Sequence, residues 1–415
     1  MVYLWPTMDV FTKPLISILL LLITFSCAQQ QQEVIPAGQP FGPGSNIPHL
    51  AVGQDGNLYL TGVYANDANQ SLVYTVLGAN GWSKPTEVAK GERWFVNWAD
   101  YPMLAVNRQG GMLAHFLQKS SAGTYSYNVQ LTSSQPQKGW QPPFKLHADS
   151  TFTEHGFVTL LPQPDGQFQV AWLDGRYTGA EIDGHSHDGG GMGAMTLRTA
   201  LVNLNGTITD TTELDHRVCD CCQTSGANTS QGPIFVYRDR SPDEVRDIYI
   251  VRQVNGRWTA PEPVAHDGWE IAGCPVNGPR ADAINNTVAV AWFTAPRGYG
   301  SVKLAFSANA GQTFQEPIII DNHNPLGRVD VALLNEQQAV VSWMATVGSE
   351  THIKAMLVHR NGRQQQLITV AKSSEARHAG FPQLAIYQGA AYFAWINTSE
   401  TIDTLSTIHT ARWPL

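Results

Sequence analysis

Cys219-Asp220-Cys221-Cys222 packs three thiols into four residues, and Cys274 supplies a fourth. Thiols at that density have three uses. In an oxidising compartment they form disulfides. The adjacent pair Cys221 and Cys222 bonds only with strain, so Cys274 would take one of the trio. As soft thiolates they bind Cu or Zn. The third use is thiol–disulfide exchange. The spacing matches no zinc-finger pattern, and all three readings stand at this point.

Two other segments carry reactive groups. Asp183-Gly-His185-Ser-His187-Asp188 leads into a glycine run and Met192. A His-x-His pair with Asp and Met nearby suits Cu or Zn; a glycine-rich loop with solvated imidazoles is the plainer reading. Its place after an apolar strand sets it at the opposite end of the molecule from the cysteines, unless the loop folds back. Tyr237-Arg238-Asp239-Arg240, continuing through Glu244, Arg246 and Asp247, is a dense charge run. It reads as an exposed hairpin with alternating ion pairs, each worth about 0–1 kcal/mol.

The elements that position these groups repeat. Gln169-Val-Ala-Trp172-Leu recurs in outline around Trp292, Trp343 and Trp395, and more loosely around Gly62, Phe116 and Tyr237. Each run is β-branched, aromatic and almost continuously apolar, as suits a strand buried on both faces. After four of the runs comes an aromatic residue with a proline three positions on: Trp82/Pro85, Trp140/Pro143, Trp258/Pro261 and Phe314/Pro317. Proline is tolerated in an edge strand and not in a central one. A unit of about 50 residues with a buried inner strand, middle strands and a proline-marked outer strand is one blade of a β-propeller. The expected fold is therefore an all-β propeller spanning 33–415. Seven inner strands give seven blades, or six if the repeat around Tyr237 is an insertion. The last repeat lacks an outer strand, and Glu33-Val-Ile-Pro-Ala-Gly38 has that character, so the N-terminal strand is expected to close the ring.

Composition agrees with this and excludes other classes. Only 14% of residues are charged, the net charge is −8, and there are 37 Gly, 24 Pro and 12 Trp. Coiled coils and disordered chains are rich in charge, and a nucleic-acid-binding surface is basic, so no nucleic-acid partner is expected.

About 14 residues before the anchor of each apolar run lies a polar, turn-rich segment. These lead-in segments hold Asn46, Asp100, Glu154-His155, the Cys219–Cys222 cluster, Cys274 with Asn277, Arg328, and Arg377-His378. Loops from one end of a rigid propeller converge on one mouth, which makes it the expected functional site. Asn46, His155, Asn277, Arg328, Arg377 and His378 are candidate ligand-binding residues there. Cys219, Cys221, Cys222, Cys274, His185 and His187 are the candidates for a metal or, for the thiols, a disulfide.

The N-terminus reads as an export signal. Lys13 precedes about eleven apolar residues, too few to span a bilayer, and Ser26-Cys27-Ala28 follows. This resembles the bacterial lipoprotein signal, which implies cleavage before a lipidated Cys27 and a polar tether at 28–32. It also implies membrane attachment through that lipid, in the bacterial envelope, at the outer membrane.

Ser307-Ala-Asn309-Ala-Gly311-Gln-Thr313-Phe314 resembles the Asp-box of sialidase-like (BNR-repeat) propellers, and Asn46-Ile47-Pro48 resembles their Arg-Ile-Pro segment. The resemblance implies a retaining exo-glycosidase for acidic sugars, with a Tyr nucleophile, a carboxylate partner, a separate acid and an arginine cluster. On that reading Arg328 and Arg377 grip the sugar and Asp100 or Glu154 is the acid. Asn46 replaces the family's Arg, and no Tyr–Glu pair is identifiable. The leading expectation is an envelope lipoprotein whose axial Cys/His/Arg pocket binds Cu, Zn or a small anionic, carbohydrate-like ligand. The alternatives are the glycosidase and a protein-interaction scaffold.

Overall fold

A computed structural model describes residues 1–6, 33–66, 69–179, 193–397 and 405–415. Residues 32–415 form one compact unit. Seven antiparallel sheets follow one another along the chain. The first strands of the blades are Ser45–Val52, Leu104–Val106, His155–Pro162, Ser225–Thr229, Arg280–Ile284, Pro325–Asn335 and Gln383–Tyr387. All seven line one cavity of about 330 Å³ on the axis, so they are the innermost strands. The molecule is a seven-bladed β-propeller. The seventh sheet is closed by Ile35–Gly38, which pairs antiparallel with Thr407–Pro414, as the missing outer strand of the last repeat requires.

The aromatic-anchored runs are not the innermost strands but the second ones, such as Phe168–Asp174, Thr287–Thr294 and Gln338–Val347. The physical reason is burial. A second strand has hydrogen-bonded partners on both edges and a neighbouring blade on each face, so it is apolar throughout. An innermost strand faces the axis and carries polar groups there, among them His49, Arg280, Asp282 and Asp330. Trp172 and Trp292 are fully buried. In the first blade Gly62 takes the aromatic place. A Cβ there would lie 2.8 Å from Ile408 Cδ1 and 3.0 Å from Phe41, whose ring occupies the space.

The buried tryptophans need acceptors for their indole N–H groups. Trp172 donates to Asp174 at 2.8 Å, Trp292 to Asp267 at 2.6 Å and Trp343 to Asp321 at 2.7 Å. The Asp-box-like segment folds as a closed turn. Ser307 Oγ donates to Asn309 Oδ1 and accepts the Gly311 amide, and Asn309 Oδ1 accepts the Thr313 amide. Asn309 thus serves the turn as an acceptor.

Asp321→Ala leaves the Trp343 indole N–H buried without a partner, which costs about 1–3 kcal/mol. Its denaturant midpoint is expected to fall accordingly, with an unchanged slope.

Candidate functional site

Because each blade is antiparallel, its second strand returns to the end where its first strand began: His155 sits opposite Asp174, Ser45 opposite Tyr64 and Pro325 opposite Ala345. The lead-in segments and the connections that follow the second strands therefore share one mouth. This corrects the expectation that sets the stem of the His-x-His insert at the opposite end. Its stem leaves the third blade at this mouth, where the Gly175 amide donates to the Glu154 carbonyl at 2.8 Å. His185 and His187 themselves lie outside the described residues, as does Cys27.

The mouth is built from strained backbone. Ile47, Phe157, Val276 and Arg328 all have φ between 48° and 53°, and three of the innermost strands carry register shifts beside them. Such conformations cost about 1–3 kcal/mol each and persist only when neighbours hold them. Side chains of adjacent blades do so here. Both Asp100 carboxylate oxygens accept the Phe157 amide at 2.9 Å, and Asn277 Oδ1 accepts the Arg328 amide at 2.7 Å. Gln223 bridges further, donating to the Ala99 carbonyl and accepting the Gly278 amide. Gly156 is required beside Asp100, since a Cβ there would lie 2.1 Å from its Oδ2.

The cysteines converge where the third blade hands over to the fourth. All four are free thiols. The sulfurs of Cys219, Cys221 and Cys222 lie within 4.8 Å of one another, with Cys219 and Cys222 3.4 Å apart. Cys274, from the next lead-in segment, reaches Cys221. Cys219 and Cys222 are each 1% exposed, whereas Cys221 and Cys274 are half-buried. None of the four lines the axial cavity, which takes its polar character from His49, Arg280, Asp282 and Asp330.

The charge run is a buried wall behind these thiols, and not an exposed hairpin. Arg238 and Arg246 are fully or nearly buried. Arg246 Nη1 lies 3.2 Å from Cys219 Sγ and pairs with Glu244 at 2.7 Å; Arg240 joins Glu244 to Asp220. The run is amphipathic in a way its alternating signs conceal, since the arginines turn inward onto sulfur and carbonyl oxygen. Burial pushes the Cys219 thiol up, but hydrogen bonds from Cys221 and Cys222 and the charges of Arg246 and Arg238 outweigh it. Cys219 is therefore held well below the ordinary thiol range, while burial raises Cys221 and Cys222.

Carboxylic acids share this mouth. Burial holds Glu154 well above the usual carboxylate range against the hydrogen bond that the Tyr127 hydroxyl donates to it; Asp100, Asp220 and Cys274 push the same way as burial. Burial also raises Asp100 to about 7, partly opposed by the Phe157 amide. Tyr127 has no repeat or motif to mark it in sequence and is recognised only by its contact.

The ligand-gripping candidates are placed differently. Arg328 donates to the carbonyls of Glu375, Ala376 and Gly380 at 2.7–3.2 Å and lies over the Trp98 ring at 4.9 Å. Burial pulls its pKa down to about 10, with Glu375 opposing. Arg377 and His378 are exposed on a short 3-10 turn, Arg377–Ala379. Asn46 accepts the Ser406 hydroxyl at 2.7 Å. His155 is buried at the interface of the second and third blades, where His147 and Asp149 lie against it.

No protein-family model and no curated protein matches the chain. Solved structures do. Polysaccharide lyase Uly1 aligns with TM-score 0.52 at 9% identity, over 94% of this chain and 94% of that one. A protein of unknown function from Dyadobacter fermentans aligns with TM-score 0.50 at 12% identity, over 78% and 96%. The endosialidase of phage phi92 aligns with TM-score 0.50 at 10% identity, over 93% and 69%. At these identities the likeness is one of fold.

The raised Asp100 carboxyl gives a signed pH dependence. Its folded pKa of about 7 exceeds the ordinary 3.8, so the folded state binds the proton more tightly than the unfolded one. Its contribution is fully present below about pH 4 and is lost as pH rises to about 7. Asp100→Asn, whose amide oxygen still accepts the Phe157 amide, is expected to flatten that part of a denaturation-midpoint profile.

Proposed function

We propose that this protein is an exported, lipid-anchored propeller of the bacterial outer membrane that binds a thiophilic metal ion, Cu(I) or Zn(II), at its mouth. Cys219, Cys221 and Cys222 are the ligands, with Cys274 beside them. The observation that carries this reading is the gathering of three unbonded sulfurs within 4.8 Å. Thiolate donors select Cu(I) and Zn over harder cations. Arg246 against Cys219 favours the thiolate a metal requires and offsets the negative charge of a multi-thiolate site. Exchange with a protein disulfide fits less well, because the thiol that is most readily ionised, Cys219, is 1% exposed and out of reach of a macromolecular partner. A small ion passes the half-buried Cys221 and Cys274.

Elemental analysis of the purified protein, paired with a thiol titration, tests the assignment. About one equivalent of thiolate-bound Cu or Zn is expected, and Cys219→Ser is expected to lose that equivalent. Metal-free protein with its four mouth cysteines oxidised sinks the idea. Arg246→Ala, which removes the group behind the Cys219 ligand, is expected to weaken metal affinity by about 10–100-fold. The anchor has its own test: radiolabelled fatty acid enters the full chain, and Cys27→Ala abolishes that labelling.

A second reading, glycoside processing, is favoured by one observation: Glu154, half-buried at the mouth with burial holding its carboxyl well above the usual carboxylate range, is hydrogen-bonded to Tyr127. A protonated carboxylic acid at neutral pH is what a general acid requires. Turnover of an acidic glycoside, cut at least a hundredfold in Glu154→Gln, is the expected result. A panel of acidic glycosides without turnover retires this reading and leaves the metal site untouched.

A further inference from the structure

The interface between the second and third blades holds a second cluster of metal-ligating groups, separate from the thiols. His147 follows the outer strand of the second blade, Phe144–Lys145, and His155 opens the innermost strand of the third. Asp149 lies on the connection between them. The two imidazole rings stack face to face, with centroids 3.7 Å apart and planes 8° from parallel. Both side chains are fully buried, and Asp149 Oδ2 lies 2.5 Å from His147 Nδ1 and 3.3 Å from His155 Nε2. One donor atom from each of the three residues falls within 4.8 Å of the others.

Hydrogen bonding leaves this cluster incomplete. His155 Nδ1 faces two backbone carbonyls, Thr153 at 3.1 Å and Tyr127 at 3.2 Å. Carbonyls only accept, so Nδ1 carries a proton and Nε2 is the ring nitrogen left to face Asp149. That nitrogen has no hydrogen-bond partner, and neither has His147 Nε2. A buried imidazole nitrogen left unpaired is costly, and native interiors rarely leave two side by side. Asp149 is also prepared. Its Oδ1 is fixed by the amide and hydroxyl of Thr151, which leaves Oδ2 to turn toward the imidazoles. A ligating histidine whose other N–H binds a backbone carbonyl, beside a carboxylate with its own hydrogen bonds, is the outer-shell pattern of protein metal sites.

We infer that His147, Asp149 and His155 bind a divalent transition-metal ion of the Zn(II) class that ties the second blade to the third. Two neutral imidazoles and one carboxylate are a borderline donor set, distinct in softness from the thiolates. Lys145 Nζ donates to the Asp149 carbonyl at 2.5 Å, turned away from the carboxylate, and Arg176 lies 3.6 Å from Asp149 Oδ2. Asp174 engages it through both carboxylate oxygens at 2.7 Å, so its charge is already balanced. Asp174 Oδ1 also lies 3.6 Å from His155 Nε2 and makes the pocket more favourable to a cation.

The test separates this site from the cysteines. The full chain carrying Cys219→Ser, Cys221→Ser, Cys222→Ser and Cys274→Ser, loaded with Zn(II) and dialysed, is expected to retain about one equivalent of zinc. Adding Asp149→Asn and His155→Gln is expected to remove it. Co(II) in the variant without mouth thiols is expected to show ligand-field bands without sulfur-to-metal charge transfer, and a chelator is expected to lower its melting temperature. If that variant does not fold, an anomalous difference map at the zinc edge from crystals of the unmutated chain decides instead. A peak among His147, Asp149 and His155 supports the site. A folded variant without mouth thiols that retains no zinc, or a map with no peak there, overturns it.

Discussion

Closure of the ring is the constraint on which the rest of this structure depends. Each apolar second strand is buried only because a blade stands on either side of it, so no blade can satisfy its own faces alone. The ring is made by Ile35–Gly38, which completes the seventh sheet alongside Thr407–Pro414. Ser45 and Asn46 at the start of the first blade bond to Ile408 and Ser406 at the end of the last. Once the ring is closed, seven first strands must begin together at one end, and whatever residues introduce them are forced into one small space. The chemistry of the mouth follows from that crowding.

Crowding also explains the unusual backbone and titration behaviour found there. Residues such as Ile47 and Val276 hold left-handed conformations that β-branched side chains avoid. Their neighbours Asp100, Gln223 and Asn277 turn side-chain oxygens onto amides of adjacent blades, so the mouth is stitched laterally by polar contacts where the blades themselves are stitched by apolar ones. The same burial that makes these contacts strong raises Asp100 and Glu154. Arg246 supplies compensating charge at the thiols. Acid, thiol and guanidinium groups thus have their properties set by one architectural cause.

Much of the fold was legible along the chain. The aromatic-anchored apolar runs marked seven blades, and the proline-marked segments after four of them marked outer strands. The missing outer strand of the last repeat pointed to closure by the N-terminal segment. The misreading of the second strands as innermost has a simple origin: hydrophobicity reports burial, and the innermost strand is the less apolar of the two because it faces a polar axis. That inversion also misplaced the stem of the His-x-His insert, since a second strand ends where the first began.

The sequence by itself determined the repeat, the class of fold, the convergence of the lead-in segments and the identity of the thiol cluster, because these depend on local pattern and on the period of the chain. Tertiary structure alone decided which groups meet. Arg328, which reads in sequence like a substrate clamp, is engaged by three backbone carbonyls and an indole face. Arg246, which reads like one charge in a surface run, stands against a thiol. His147 and His155 come from different blades and stack in contact, with no shared motif to announce it. Such pairings are set by the rotation from one blade to the next, a quantity that no window of the sequence encodes.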